Sequence, residues 1–445
     1  MKNETGHIGV LSATTLVAAS MIGVGVYTTS GFTLAALQTP ERVIMAWVVG
    51  GIIAICGAIG YASLASRFTE SGGEYLFLSR TLHPVAGVMA GWVSMLAGFT
   101  GAIAVAALGL EEYLVPMLGE GVASLPGGTI AIASVVLAAI MHAIGVRGAS
   151  QIQDAVVIVK LILIAVFVVF AARLILPNSD GLSADGLSAG PLSDTAAPMH
   201  WLDFAGQLVW ISFSYAGFNA AVYIAGEVRS PNRNVPRALV GGTVLVTVVY
   251  VLLNAIFVHS APIGVITAGE NISQVAATAA TSLGGQRFAL LVRGVIVISL
   301  LTSVSAMVMT GPRVYAKMAD DGFLPSFLRF TGRVPVAAIA FQAVLAIIVI
   351  SVSTLTQLLG YLGLTLSVSS ALTVAMLLVL RFRGEIERLP LYGIPPVIYV
   401  IATLGIAVMY AISKPEQAIA AAATLVIGGM FFVTKRKAKK VTTNS

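Results

Sequence analysis

Met21-Ile22-Gly23-Val24-Gly25-Val26 interrupts an otherwise apolar segment, and Phe213-Ser214-Tyr215-Ala216-Gly217-Phe218-Asn219 interrupts another about five apolar segments later. Each segment is long enough to cross a bilayer, so the interruptions would fall in hydrocarbon. Glycine weakens a helix interior by roughly 1 kcal/mol relative to alanine. Backbone groups freed from a helix in hydrocarbon cost several kcal/mol more unless something satisfies them. A small polar solute can do so. Broken helices at corresponding positions of two halves point to a binding site near the membrane midplane.

The composition sets the class. Of 445 residues, 58% are hydrophobic and 10% charged, against about 25% charged in soluble domains. Windows of about 20 apolar residues recur some twelve times, from 8–36 to 416–434. The chain is predicted to be an all-α polytopic membrane protein. Met1 to His7 is short and polar, with no small-residue cleavage site after a compact apolar region, so the first span is expected to stay in the membrane. Twelve spans put both termini on one side. Arg42, Arg173, Arg287 and Lys414 fall on the other face, and Lys160 and Arg293 lie within spans. The remaining Lys and Arg share the face of the termini, which the positive-inside rule makes cytoplasmic. Short termini without large soluble domains suit a bacterial inner membrane. The net charge of +6 follows from this topology and from attraction to anionic lipid, with no need of nucleic acid. The lone Cys56 can form no internal disulfide, and the five histidines are scattered, so no metal or cofactor is expected. No nucleophile with a base, no HExxH and no filter-like repeat is present, which argues against an enzyme or a channel.

The organisation follows from the two breaks. Residues 1–176 hold five spans, 177–201 a Gly-, Ser-, Asp- and Pro-rich outward loop, and 202–385 five more. Residues 386–434 form two peripheral spans and 435–445 a basic cytoplasmic tail. Because five is odd, the second set enters the membrane from the opposite side, giving a five-plus-five inverted repeat with helices 1 and 6 broken. The last two spans are expected at the periphery or in a dimer contact, leaving a monomer or a homodimer in the lipid bilayer.

Five strings in this order resemble the amino acid, polyamine and organocation transporters, which have the leucine-transporter fold. They are Gly23-Val24-Gly25-Val26-Tyr27; Glu70-Ser71-Gly72-Gly73-Glu74-Tyr75 followed by Gly87 to Trp92; Gly226-Glu227-Val228-Arg229-Ser230-Pro231-Asn232-Arg233-Asn234-Val235-Pro236-Arg237; Asp321-Gly322-Phe323-Leu324-Pro325; and Val334-Pro335-Val336-Ala337. Ser71 stands where the resembled motif has proline, a departure that would loosen that loop. The resemblance implies a secondary transporter of small molecules working by alternating access.

The residues themselves suit an amino acid. At the first break the amides of Gly23, Val24, Gly25 and Val26 lie at the N-terminal end of a half-helix, where free N–H groups and the helix dipole favour a carboxylate. Carbonyls of Met21, Ile22, Phe213, Ser214 and Ala216 can accept from an ammonium. The alternative for the glycines is close helix packing. Tyr215, Gly217, Phe218 and Asn219, with Ser214 and Phe213, are read as pocket or aromatic gate. No acidic residue neighbours either break in sequence, which favours small neutral substrates over amines, polyamines or cationic amino acids. Lys160, deep in the fifth span, is a functional hypothesis by its depth alone. Similarity to sodium-independent members of the resembled family puts its ammonium where sodium-driven relatives hold an ion between helices 1 and 8, near the hydroxyls of Ser299, Thr302 and Ser303. Two roles stay open: proton release during the cycle, or a permanently charged brace on helix 1 in an exchanger or uniporter. Glu227 is read as an inner-gate latch against Arg229, Arg233 and Arg237.

Overall fold

The computed structural model describes residues 6–144, 149–175, 199–261, 264, 266, 272–330, 334–386 and 389–443. Ten of its helices are long and apolar enough to cross a membrane, and Thr129–Ala143 and Val336–Val352 are shorter apolar helices, giving the twelve spans expected of a multi-pass membrane protein. Most of the segment assigned to the outward loop, 176–198, lies outside the described residues.

The first span is two helices, α1 (Val10–Met21) and α2 (Val24–Leu37). Ile22 and Gly23 between them leave helical geometry. The second span is α3 (Pro40–Arg67), started by a Thr39 side-chain cap and proline in its first turn. A short helix α4 (Gly73–Thr81) follows. The third span runs through α5 (Pro84–Val93), a π-helical stretch Ser94–Gly101 and α6 (Ala102–Leu118). Wider turns of this kind mark functional regions in many helices, and Ser94, Gly98 and Phe99 here all lie close to the site described below. Next come α7 (Thr129–Ala143) and α8 (Ala149–Ile175).

The sixth span repeats the pattern of the first. Helix α9 (Trp201–Tyr215) ends at Ala216, and a 3-10 segment, Ala220–Glu227, resumes after Gly217 to Asn219. Gly217 has φ +99°, and a Cβ there would lie 2.7 Å from the Ser20 carbonyl oxygen. The turn therefore needs both the left-handed backbone and the missing side chain. Helices α10 (Pro231–Ser260), α11 (Val275–Asp320, kinked at Gly284 and Gly285), α12 (Val336–Val352) and α13 (Leu355–Phe382) complete the second set. A capping box between Thr354 and Gln357 starts α13.

The last two spans are α14 (Ile394–Ser413) and α15 (Pro415–Thr443). The helix backbone of α15 continues through most of the predicted basic tail. Helix α14 is less peripheral than the sequence suggested. Tyr399 is buried, its ring lies edge-on to Phe218 at 6.1 Å between centroids, and its hydroxyl meets that of Ser370 at 2.7 Å.

Candidate functional site

A cavity lies between the two breaks. Its wall includes Gly23, Val24 and Gly25 of the first span, Ser214 to Asn219 of the sixth, and Ser303 of α11. Gly23 is the N-cap of α2, so the N–H groups of Val24, Gly25 and Val26 occupy the first turn and have no acceptor within the helix. Gly23 does not belong with them, because its own N–H donates to the Met21 carbonyl at 2.8 Å.

Gly25 also serves packing. A Cβ on it would come within 2.7 Å of the Ser214 Cα, so α2 and the end of α9 touch where any larger residue would separate them. The close-packing alternative therefore describes Gly25.

Several carbonyls expected to hold an ammonium already have protein donors. The hydroxyl of Tyr250, on α10, donates toward the Met21 carbonyl at 2.5 Å and the Ser214 carbonyl at 2.9 Å. Met21 thus has two donors. The Phe213 carbonyl accepts from Ala216 N–H at 2.9 Å. The Ile22 carbonyl accepts from Lys160 Nζ at 3.2 Å. Tyr250 was not singled out from the sequence. It is one aromatic among apolar neighbours, and only the crossing of α10 over both breaks gives it a role.

Lys160 is fully buried. Beyond Ile22, its ammonium donates to Thr302 Oγ1 at 3.3 Å, joining the end of α1, α8 and α11. Of the other hydroxyls grouped with it, Ser299 faces Tyr27 Oη at 3.1 Å, while its carbonyl accepts from Thr302. Ser303 turns to the cavity beside Gly23. The i, i+3, i+4 spacing put all three on one side of α11, but that side is wide enough to meet two different neighbours.

The predicted gate residues are firmly held. Tyr215 donates to the Trp47 carbonyl at 3.1 Å, and its ring packs against those of Trp47 and Tyr250. Ser214 Oγ meets the Trp210 carbonyl at 3.1 Å and Thr29 Oγ1 at 3.3 Å. Phe213 and Phe218 are buried in the wall.

Glu227 and Glu74 require correction, and Asp154 gains partners. Glu227 pairs with Arg313 of α11 through Nε at 2.5 Å and Nη2 at 3.1 Å, rather than with the arginines that follow it in sequence. Arg233 and Arg237 lie on α10, whereas Arg313 lies on α11, which also packs against the 3-10 segment. Asp154 accepts from Ser12 Oγ at 2.5 Å and Thr15 Oγ1 at 2.6 Å, tying α1 to α8. Most consequential is Glu74. The sequence put it in a polar loop and found no acid near either break, yet α4 folds it into the cavity wall. There its carboxylate meets Tyr61, Ser94, Ser369 and Asn219. Ser71, expected to loosen the same loop, instead accepts from Gly226 N–H at 3.1 Å and fastens it to the end of the sixth span.

Sequence comparisons place the chain in a family. The amino acid permease family profile matches residues 8–433. The chain is similar to the serine/threonine exchanger SteT of Bacillus subtilis (strain 168), 28% identical over 404 residues, covering 88% of each chain. It is similar to the b(0,+)-type amino acid transporter 1 of Mus musculus, 26% identical over 445 residues, covering 96% of this chain and 87% of the relative. The large neutral amino acids transporter small subunit 2 of Homo sapiens is 25% identical over 386 residues, covering 85% of this chain and 70% of its own. With the family profile spanning nearly its whole length, this chain belongs to the amino acid permease family.

Proposed function

We propose that the protein carries neutral α-amino acids across the bacterial inner membrane by alternating access, without sodium and with both termini in the cytoplasm. The observation that carries this reading is the first turn of α2. Of its N–H groups, those of Val24 and Gly25 belong to residues lining a cavity whose opposite wall is the broken sixth span. A carboxylate there gains the charge-assisted hydrogen bonds and helix-dipole attraction that favour anions at helix N-termini. The Ala216 carbonyl, at the ψ 147° turn ending α9, is the acceptor offered to the ammonium.

Lys160 acts as a fixed brace. Its ammonium links the carbonyl at the break to Thr302 and supplies positive charge between the first and eighth spans, where a sodium ion would otherwise be needed. Side-chain selection falls to Phe213, Phe218, Tyr223, Met307 and the hydroxyls around them. This mixed wall suits the neutral and hydroxyl-bearing side chains named by the relatives. Glu227 with Arg313 is the inner latch.

The test is uptake of labelled serine, threonine and leucine into proteoliposomes in sodium-free buffer, with unlabelled competitors. Threonine is expected to compete and its decarboxylated amine to fail by at least ~10-fold, the worth of one lost charged contact of ~1.5 kcal/mol. Equal competition by the amine would replace this reading with that of an amine permease.

A further inference from the structure

Glu74 is 3% exposed and sits in the cavity wall. Tyr61 and Asn219 donate to Oε1, the latter at 3.3 Å. Ser94 at 3.4 Å and Ser369 at 2.9 Å donate to Oε2. Other titratable groups face it from each side: Tyr61 on α3, Tyr223 on the 3-10 segment and Tyr399 on α14. Among the described residues no lysine, arginine or histidine is hydrogen-bonded or ion-paired to it.

A buried carboxylate without a cation is costly and can be neutralised by a ligand's ammonium or by a proton. An ammonium needs space at the oxygens, but all four lone-pair directions are already met by protein donors. A proton needs none. The shell is also of the right kind. Tyr61, Ser94 and Ser369 are hydroxyls, which donate to an ionised carboxylate and, by rotating, accept from a protonated one. Glu111 differs, being held by backbone N–H groups of Gly128 at 2.6 Å and Ala131 at 2.9 Å, which can only donate. Asn219 connects Glu74 to transport. It follows Phe218 in the sixth-span break, lines the cavity, and bonds both Glu74 and, at 3.4 Å, Tyr223.

We propose that Glu74 binds and releases a transported proton, so that substrate and proton move together through a cavity whose wall the carboxyl helps to build. This rests on the carrier reading above. The proton comes from water on one side and returns to water on the other, with no bond in the substrate changed. Glu74 acts through Asn219 rather than by touching the amino acid.

The test uses full-length protein in sodium-free proteoliposomes containing a pH-sensitive dye, with the membrane voltage clamped. Threonine added outside should acidify the interior, and a one-unit inward proton gradient should raise accumulation by up to ~10-fold for one proton per substrate. The readout for each variant is its own ratio of uptake with and without the gradient. Glu74→Gln should bring that ratio to one, and Glu74→Asp should keep it above one. Ser369→Ala, which removes a donor to the ionised form but leaves the carboxyl, should move the midpoint of the pH profile upward. The proposal is overturned if wild-type threonine uptake occurs without acidification, if Glu74→Gln keeps the wild-type ratio, or if the Ser369→Ala midpoint does not move. Failure of the carrier reading looks different: serine, threonine and leucine would neither bind nor exchange at any pH, which would overturn both.

Discussion

Replacing Lys160 with methionine separates a transport role from a structural one, because the two predict different combinations of uptake and stability. The lysine is fully buried and its ammonium donates to Ile22 O at 3.2 Å and Thr302 Oγ1 at 3.3 Å. Losing two hydrogen bonds from a charged donor removes about 1.5–3 kcal/mol each. Removing the charge relieves a desolvation penalty of several kcal/mol, and methionine refills much the same volume. These terms oppose each other at similar size, so the net change in stability should stay within about 2 kcal/mol, visible as a shift of a few degrees in melting temperature. The first-span break has no such compensation. Loss of one charged contact at Ile22, at about 1.5–3 kcal/mol, lowers the population of the binding geometry by roughly 10- to 150-fold. Purified Lys160→Met protein should therefore melt close to wild type in detergent while sodium-free uptake falls below a tenth. Uptake within twofold of wild type would remove Lys160 from the mechanism. A large loss of stability with a proportionate loss of uptake would reduce it to a structural residue.

Tyr250→Phe should destabilise the protein by about 1–3 kcal/mol, because the Met21 and Ser214 carbonyls lose a shared buried donor; thermal melting measures it, and unchanged stability would refute the bridge. Gly25→Ala should cost about 1–3 kcal/mol through contact with Ser214 and weaken threonine binding, while Gly25→Leu should abolish it; wild-type affinity in the leucine variant would move the carboxylate site elsewhere. Glu227→Arg should disturb the inner latch and slow transport, and combining it with Arg313→Glu should restore part of the rate, since the pair is only partly exposed. No rescue in the double variant would argue against a pairwise latch. Asp154→Asn should weaken the hold on α1 through Ser12 and Thr15, giving increased proteolysis of the first half-helix as its readout.

Much of the fold was local enough to read from the sequence. Span number follows from the energy of burying apolar stretches, and the breaks at Ile22 to Gly23 and Ala216 to Asn219 from glycine in hydrocarbon. Both signals act within about a turn of helix. Lys160 was conspicuous for the same reason, since its neighbours alone make a charge there expensive. Tertiary structure decided the partners. Glu227 meets Arg313, 86 positions away, rather than the arginines beside it. Tyr250 reaches Met21 across 229 positions, and Glu74 is joined to Ser369 across 295. Glu74 also shows how sequence distance hid a cavity residue: it reads as loop because its string is polar and rich in glycine, and becomes cavity wall because Gly72 and Gly73, both at positive φ, let the chain turn α4 inward. Hydropathy records the burial of each segment one residue at a time, whereas hydrogen bonds between buried polar groups are short-ranged and directional, so they exist only once packing has brought their two ends together.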